Sequence, residues 1–359
     1  MRDTSPSAST DSSHGAVPPD PTAPPHRLVR DGGFAFGTYD APVPELDLLA
    51  RWSGPARAWH ASRLKEWQAF QLTDGEWFVL GAVYDAKLLG LVQLVAVHQA
   101  SGRVERWEHR VPSTRLSVAS GLDASTSVGR SAGLEVTFAN DVGSGRLAVT
   151  ASQSPRLGVS AMSFDVAGSC APGSVGHLVI CHPFPDGTPL YSDKCMMPAE
   201  GSLTIAGERL AFAAGETVLV LDDHKGHYPS PMRYDWVTAA GRDGAGRVVG
   251  FNLTDNQVRD PDTYNENALW VGADVHRLGA VRFDRPRGVH GPWRVTDRLG
   301  MVDVTFEPSV PNEQHVGPRS VLADYYGPFG WCSGRIDTGA ASLDVDGMFG
   351  MGEQKFIRI

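Results

Sequence analysis

Cysteine is scarce: Cys170, Cys181, Cys195 and Cys332 are the only four, and no CxxC pair occurs. Such spacing excludes a disulfide-scaffolded miniprotein and a thiolate zinc site. It predicts a reducing, cytoplasmic setting, although Cys170 and Cys195 lie close enough in sequence to bridge elsewhere. No run of about 18 apolar residues is present, so nothing reads as a membrane-spanning helix. A basic cluster is missing too. The formal net charge of −9 comes from dispersed acids, which excludes the electrostatic footprint of a nucleic-acid binder. The chain carries no GxGxxG after a strand, no GxxxxGK[ST], no GxSxG and no HExxH, so no cofactor is predicted. The glycine-rich GMFGMGEQKF (347–356) lacks the Lys-Ser/Thr ending of a phosphate loop and reads as a glycine-kinked final strand.

Helical periodicity is also sparse, limited to PVPELDLLARW (42–52) and SRLKEW (62–67). Strand signals fill the rest. WQAFQLTDGEWFVLGAVYD, LEVTFANDVGSGRLAVTASQ, YDWVTAAGRDGAGRVVGFNLTDN and WRVTDRLGMVDVTFEPS each set Gly or Asp-Gly punctuation between β-prone runs. Antiparallel hairpins follow, and repeated hairpins predict an all-β protein of barrels rather than a βαβ sheet. A barrel of about eight to ten strands uses roughly 150 residues, so the chain has room for two antiparallel β-barrels in tandem. The junction is expected near 195–205, giving a first barrel over 28–200 and a second over 201–359. Residues 1–27, rich in Ser, Pro, Thr and Asp, cannot bury enough surface to offset ordering and are expected to form a disordered tail.

Three polar clusters interrupt this pattern, all after residue 220. LDDHKGHYPSPMRYDW (221–236) holds Asp222, Asp223, His224, Lys225, His227, Tyr228, Tyr234 and Trp236. GFNLTDNQVRD (250–260) holds Asn252, Asp255 and Asn256. TYNENALW (263–270) sets Asn265, Glu266 and Asn267 between Tyr264 and Trp270. Strands disfavour Asp and Asn, so polar residues inside strand patterns need another reason. A histidine beside a carboxylate suits acid–base work, the acid fixing the tautomer. Asp222, His224 and His227 are also metal-ligand types. However, HxxH off a helix does not place both imidazoles on one face, and no metal is predicted. Against these stand a solvated loop for the first cluster and turn chemistry for the other two.

At these residues a resemblance enters. DDHKGHYP, RYDWVTA, GFNLTDNQ, YNENALW and GMVDVTFEP resemble a bacterial family catalogued as a domain of unknown function, over nearly the whole chain after about residue 30. A looser similarity is to the tandem lipocalin-like proteins that include the carotenoid hydratase hydroxyneurosporene synthase. Their His-Asp-His-Asn-Trp-Gly signature has a counterpart in Asp223-His224-Lys225-Gly226 and Trp236, with the His-Asp-His order lost and Lys225 in a neighbour's place. The resemblance implies two lipocalin-like barrels and an apolar pocket near their interface. It further implies chemistry without a cofactor on a hydrophobic lipid or isoprenoid-like molecule: hydration, isomerisation or cyclisation.

On this reading His224 with Asp223 moves the proton, and Asp255 or Glu266 is the second acid–base group. Asn252, Asn256 and Asn267 orient substrate or water. Tyr234, Trp236, Tyr264, Trp270 and His227 line the substrate site. The partner is a hydrophobic small molecule, and peripheral membrane contact stays open. A lipid carrier without chemistry and a carbohydrate-binding β-protein are the competing readings.

Overall fold

The computed structural model describes residues 17–317 and 323–358. The expected disordered tail therefore lies outside the described residues as far as residue 16. From residue 17 the chain is placed, and Thr22 bridges Tyr39 while Arg27 bridges Glu45. This edge needs little side-chain burial, because extended backbone pairs through its own N–H and C=O groups.

The described chain is nearly all β, and its hairpins fall where the turn residues sit. Asp74–Glu76 link the strands Lys65–Thr73 and Trp77–Asp85, and Asp243–Arg247 link Met232–Arg242 and Val248–Asn256. The N-terminal helices differ from expectation. Over 42–52 only Leu48–Arg51 form a single 3-10 turn, and the α-helix is Gly54–Arg63, opened by Ser53 and Pro55. Proline near a helix start, where its missing N–H costs nothing, was the signal in the sequence.

Two large antiparallel sheets, of 14 and 12 strands among the described residues, follow each other in tandem. Each curls until its ends nearly meet. The first runs in hydrogen-bonded order from Arg103–Pro112 round to Leu116–Ser117, so its two ends are joined by a three-residue turn. The second runs from Asp274–Arg277 round to Val281–Asp284, again with only residues 278–280 between its ends. Near-closure of this kind gives the two lipocalin-like barrels their shape and removes exposed edges. By sheet membership the chain changes over between Gly226 and Met232. Residues 200 and 201 lie inside the strand Pro189–Ile205, whose first half pairs with Val218–Gly226 and whose second half pairs with Met162–Gly168.

Both barrel interiors are filled. Phe70, Val79, Leu94, Trp107, Phe138 and Phe164 pack the first; Phe251, Leu253, Trp293, Val295, Phe306 and Ile336 pack the second. Large side chains from opposite walls thus meet in each interior. The barrels then pack outer face to outer face, and two further apolar clusters lie in that seam. One joins Phe78, Leu80 and Val95 to Tyr234, Trp236, Phe349 and Met351. The other joins Leu178, Met196 and Val220 to Ala240, Ala268 and Trp270. Between these two clusters the seam turns polar.

Candidate functional site

The polar stretch of the seam is built by strand alternation. In Pro189–Ile205 and Val218–Gly226 the register pairs Ser192 with His224 and Lys194 with Asp222. Alternate residues share a face, so these four point together into the seam. Asp223 and Lys225, one step out of phase, point into the first barrel. From the second sheet, Glu266 comes up from the segment before strand Ala268–Val271. All five of the converging residues are buried, His224 and Glu266 completely.

His224 lies at the centre. Its Nε2 is 2.9 Å from Asp222 Oδ1, 3.2 Å from Glu266 Oε2, 2.9 Å from Ser192 Oγ and 2.8 Å from Lys194 Nζ. Its Nδ1 faces the Tyr228 hydroxyl at 3.1 Å. The ring stacks on Trp67, centroids 4.4 Å apart, and Trp67 Nε1 donates to Asp222 Oδ2 at 3.4 Å. Ser192 Oγ donates to Glu266 Oε2 at 3.0 Å, and Lys194 Nζ contacts both carboxylates. On its other oxygen Glu266 accepts from Asn256 Nδ2 at 3.2 Å.

Two carboxylates, an ammonium and an imidazolium sum to zero, and this balance decides the ionisation. Burial alone would neutralise each group. For His224, burial and the Lys194 ammonium push the pKa down, but the Asp222 and Glu266 carboxylates outweigh them and the net shift is upward. For Glu266, burial pushes up, and His224 and Lys194 hold it well below the usual carboxylate range. Asp222 is lowered in the same way, against burial, by Lys194 and His224. Lys194, disfavoured by burial, is raised by the two carboxylates. Burial keeps the Tyr228 hydroxyl well above its ordinary value, a neutral donor and acceptor. The Lys194 ammonium lies between the two carboxylates. Among the described residues no group of three or more His, Cys, Asp or Glu side chains is spaced to hold one.

The remaining residues singled out in the sequence divide by strand face. Asn252 is central: it accepts from Trp236 Nε1 at 2.6 Å and donates to the Glu266 backbone oxygen at 2.5 Å. Asn256, Tyr234 and Trp236 share that face, and Lys194 Nζ sits 5.5 Å from the Trp236 ring. Asn267 secures backbone instead, accepting from Thr254 N at 2.6 Å and donating to Gly279 O at 2.9 Å.

Four expectations need correcting. Asp223 does not partner His224: adjacent strand residues face opposite ways, and its carboxylate pairs with Lys225 Nζ at 2.6 Å. The acid beside His224 is Asp222. Asp255 lies across the ladder from Asp235, on the face opposite Asn256; although the residue as a whole keeps much of its surface, atoms packed round its carboxyl and the Asp235 charge raise it to about 6. Trp270 is a core residue whose Nε1 donates to Gly176 O at 2.9 Å. His227 donates from Nε2 to His60 O at 3.0 Å and packs edge-on against the Trp52 and His60 rings, away from His224's partners. Tyr264 is half-buried, with its backbone N–H bonded to Asp260 O. All four cysteines are free.

Ser192, Lys194 and Trp67 were missed in the sequence, and Tyr228, named in the first cluster, was given no role. The signal for the first two was the alternation in YSDKCMM (191–197), which puts Ser192, Lys194 and Met196 on one face. The expected apolar pocket near the interface also differs. The groove in the seam, about 950 Å³, is at the opposite strand ends, lined by Thr73, Gln99, Glu216, Arg242, Trp331 and Phe349; none of the His224 cluster lines it. No helix of the described residues is long and apolar enough to cross a membrane.

Two solved structures resemble the chain. Kievitone hydratase from Nectria haematococca aligns with a TM-score of 0.47 and 15% identity, covering 82% of this chain and 88% of its own. CghA aligns with a TM-score of 0.42 and 14% identity, covering 83% and 89%. No curated protein matches the chain. A family model matches residues 22–358, and the chain belongs to that family, the domain of unknown function DUF2804.

Proposed function

We propose that the protein is an acid–base enzyme that adds or removes water, or shifts a proton, on an apolar unsaturated small molecule, using His224 as the proton donor and acceptor. The observation that carries this is the enclosure of one imidazole by two buried carboxylates, an ammonium, a serine and a tyrosine. Burying so many ionisable groups is expensive, and such arrangements cluster at functional sites.

The roles follow from the contacts. Asp222 and Glu266 keep the imidazole charged, so a proton is available above the pH at which a free histidine loses it. When that proton leaves from Nδ1, Nδ1 accepts from the Tyr228 hydroxyl while Nε2–H still donates to the carboxylates, and the cluster stays hydrogen-bonded. Tyr228, on Nδ1, is the group that hands the proton to the apolar side of the seam, where Phe184, Tyr234 and Trp236 pack. Those aromatic faces suit an apolar substrate and a developing cation. Entry is at the rim formed by Trp67 and Lys355, both partly exposed.

A second reading has its own support. The cluster joins strands of both sheets, and the groove of about 950 Å³ lies elsewhere in the seam, as expected of an ionic lock between barrels. One experiment separates the two. Wild type and His224→Gln are incubated with a small-molecule extract in D2O, and deuterium or hydroxyl gain is followed by mass spectrometry. Label gained with wild type and lost in a folded His224→Gln supports the enzyme. Equal spectra from both proteins favour the lock.

A further inference from the structure

Glu266 divides its carboxylate between two environments. Oε2 serves His224, Ser192 and Lys194, as described. Oε1 looks the other way, towards Asn256 and a second histidine, His182, whose Nε2 is 3.8 Å away. At that distance the contact is electrostatic and not a hydrogen bond. His182 is fully buried on strand His177–Pro183, edge-on to the Phe184 ring at 5.1 Å, and neither ring nitrogen meets a protein partner.

A buried polar atom without a partner costs about 1–3 kcal/mol, and both nitrogens of this ring are in that position. The environment repeats the feature. Arg277 is buried, spends only Nη2 on Asn265, at 2.7 Å from its backbone oxygen, and leaves Nε and Nη1 without acceptors. Its charge is felt by Glu266. The side of Glu266 that carries Oε1 thus faces an imidazole with no hydrogen-bond partner on either nitrogen, and an oxygen atom bound there would satisfy it.

We propose that His182 is a second acid–base group of the site, holding the water or hydroxyl oxygen that adds to or leaves the substrate, and that Glu266 links it to His224. This rests on the acid–base reading above. In the addition direction the π pair of a C=C bond takes the proton supplied by the His224 imidazolium and forms C–H. The water oxygen forms C–O with its lone pair, and His182 takes the surplus O–H proton. His224 has then lost one proton and His182 has gained one. Glu266, between the rings, couples the two charges; His182 releases its proton to water and Tyr228 returns one from water to His224 Nδ1, and the sum is substrate plus water to alcohol. Elimination runs the same steps backwards.

The first test is a crystal structure of the full chain near 1.2 Å resolution. An ordered oxygen within about 3.2 Å of a His182 ring nitrogen is the expected result, and a dry ring overturns the proposal. The second is ¹⁵N NMR of histidine-labelled protein. The ring signals of His182 should change in Glu266→Gln and in His224→Gln; signals unchanged in both overturn the link. His182→Phe, which removes the orphaned nitrogens, should fold and lose label incorporation by about 10²-fold or more. Incorporation within twofold of wild type rejects the role. Should His182→Phe not fold, the structure and the wild-type spectra still decide. A linked pair of rings in a protein that labels nothing would refute the enzymatic reading; labelling without the link would refute this inference alone.

Discussion

At the scale of residues, the cluster is a balance of charges that no member can leave without penalty. Removing the cation in Lys194→Met leaves Asp222 and Glu266 facing one imidazolium, and should cost about 3–5 kcal/mol of stability. Glu266→Gln removes one anion and should cost a similar amount. The double variant restores neutrality between Asp222 and His224, so its loss should fall short of the sum by about 0.5–3 kcal/mol. Urea unfolding of the four proteins measures this, and strict additivity would contradict the shared network. The pH dependence has a definite sign. His224 is raised on folding, so its contribution is complete below about pH 6.5 and is lost as pH rises through the folded value. Glu266 is lowered, so its contribution is present above the ordinary glutamate range and is lost as pH falls through the folded value.

At the scale of elements, the strand Val218–Gly226 explains both what the sequence disclosed and what it hid. Every one of its nine residues is buried, one face in the barrel interior and one in the seam. A strand buried on both sides shows no apolar–polar alternation, so LDDHKG looks like a loop, and its period of two is invisible. That is why His224 stood out while its partner was taken to be Asp223. Asn252 and Glu266 were legible because Phe251, Leu253 and Trp270 around them are plainly strand residues. Ser192 and His182 were not, since neither type is unusual alone.

The correction makes a prediction. Asp222→Asn should abolish label incorporation, whereas Asp223→Asn should leave it and lower stability through Lys225; the reverse pattern would put the wrong face in the site. A second concerns the turn after this strand. Burial lowers the His227 imidazole to about 4, so folding stability should fall as pH drops from about 6.5 towards that value, the unfolded chain binding the extra proton. His227→Gln should flatten thermal stability over that window, and an unchanged slope would locate the acid sensitivity elsewhere.

At the scale of the whole molecule, the hairpin grammar and the two-barrel plan were readable from turn residues and strand lengths. What lay beyond reach was how the barrels meet. Nothing local says that outer faces pack back to back, or that a buried ionic cluster lies in the seam between them. Because apolar clusters bridge the sheets on both sides of the polar stretch, the barrels should unfold together. Far-UV and near-UV signals should give coincident urea transitions, and two separated transitions would contradict so continuous a seam. Trp270→Ala, removing a fully buried indole from it, should cost about 3–5 kcal/mol without changing the ionisation of His224.

That ionisation is the centre of the account, and it can be measured without a substrate. Ring ¹⁵N shifts of His224, followed from acid to alkaline pH in the full-length protein, report its charge directly. An imidazolium is expected that persists above pH 6.5, the usual midpoint of a free histidine, and that loses its proton at lower pH in Asp222→Asn. A ring already neutral at pH 6, and indifferent to that substitution, would contradict it.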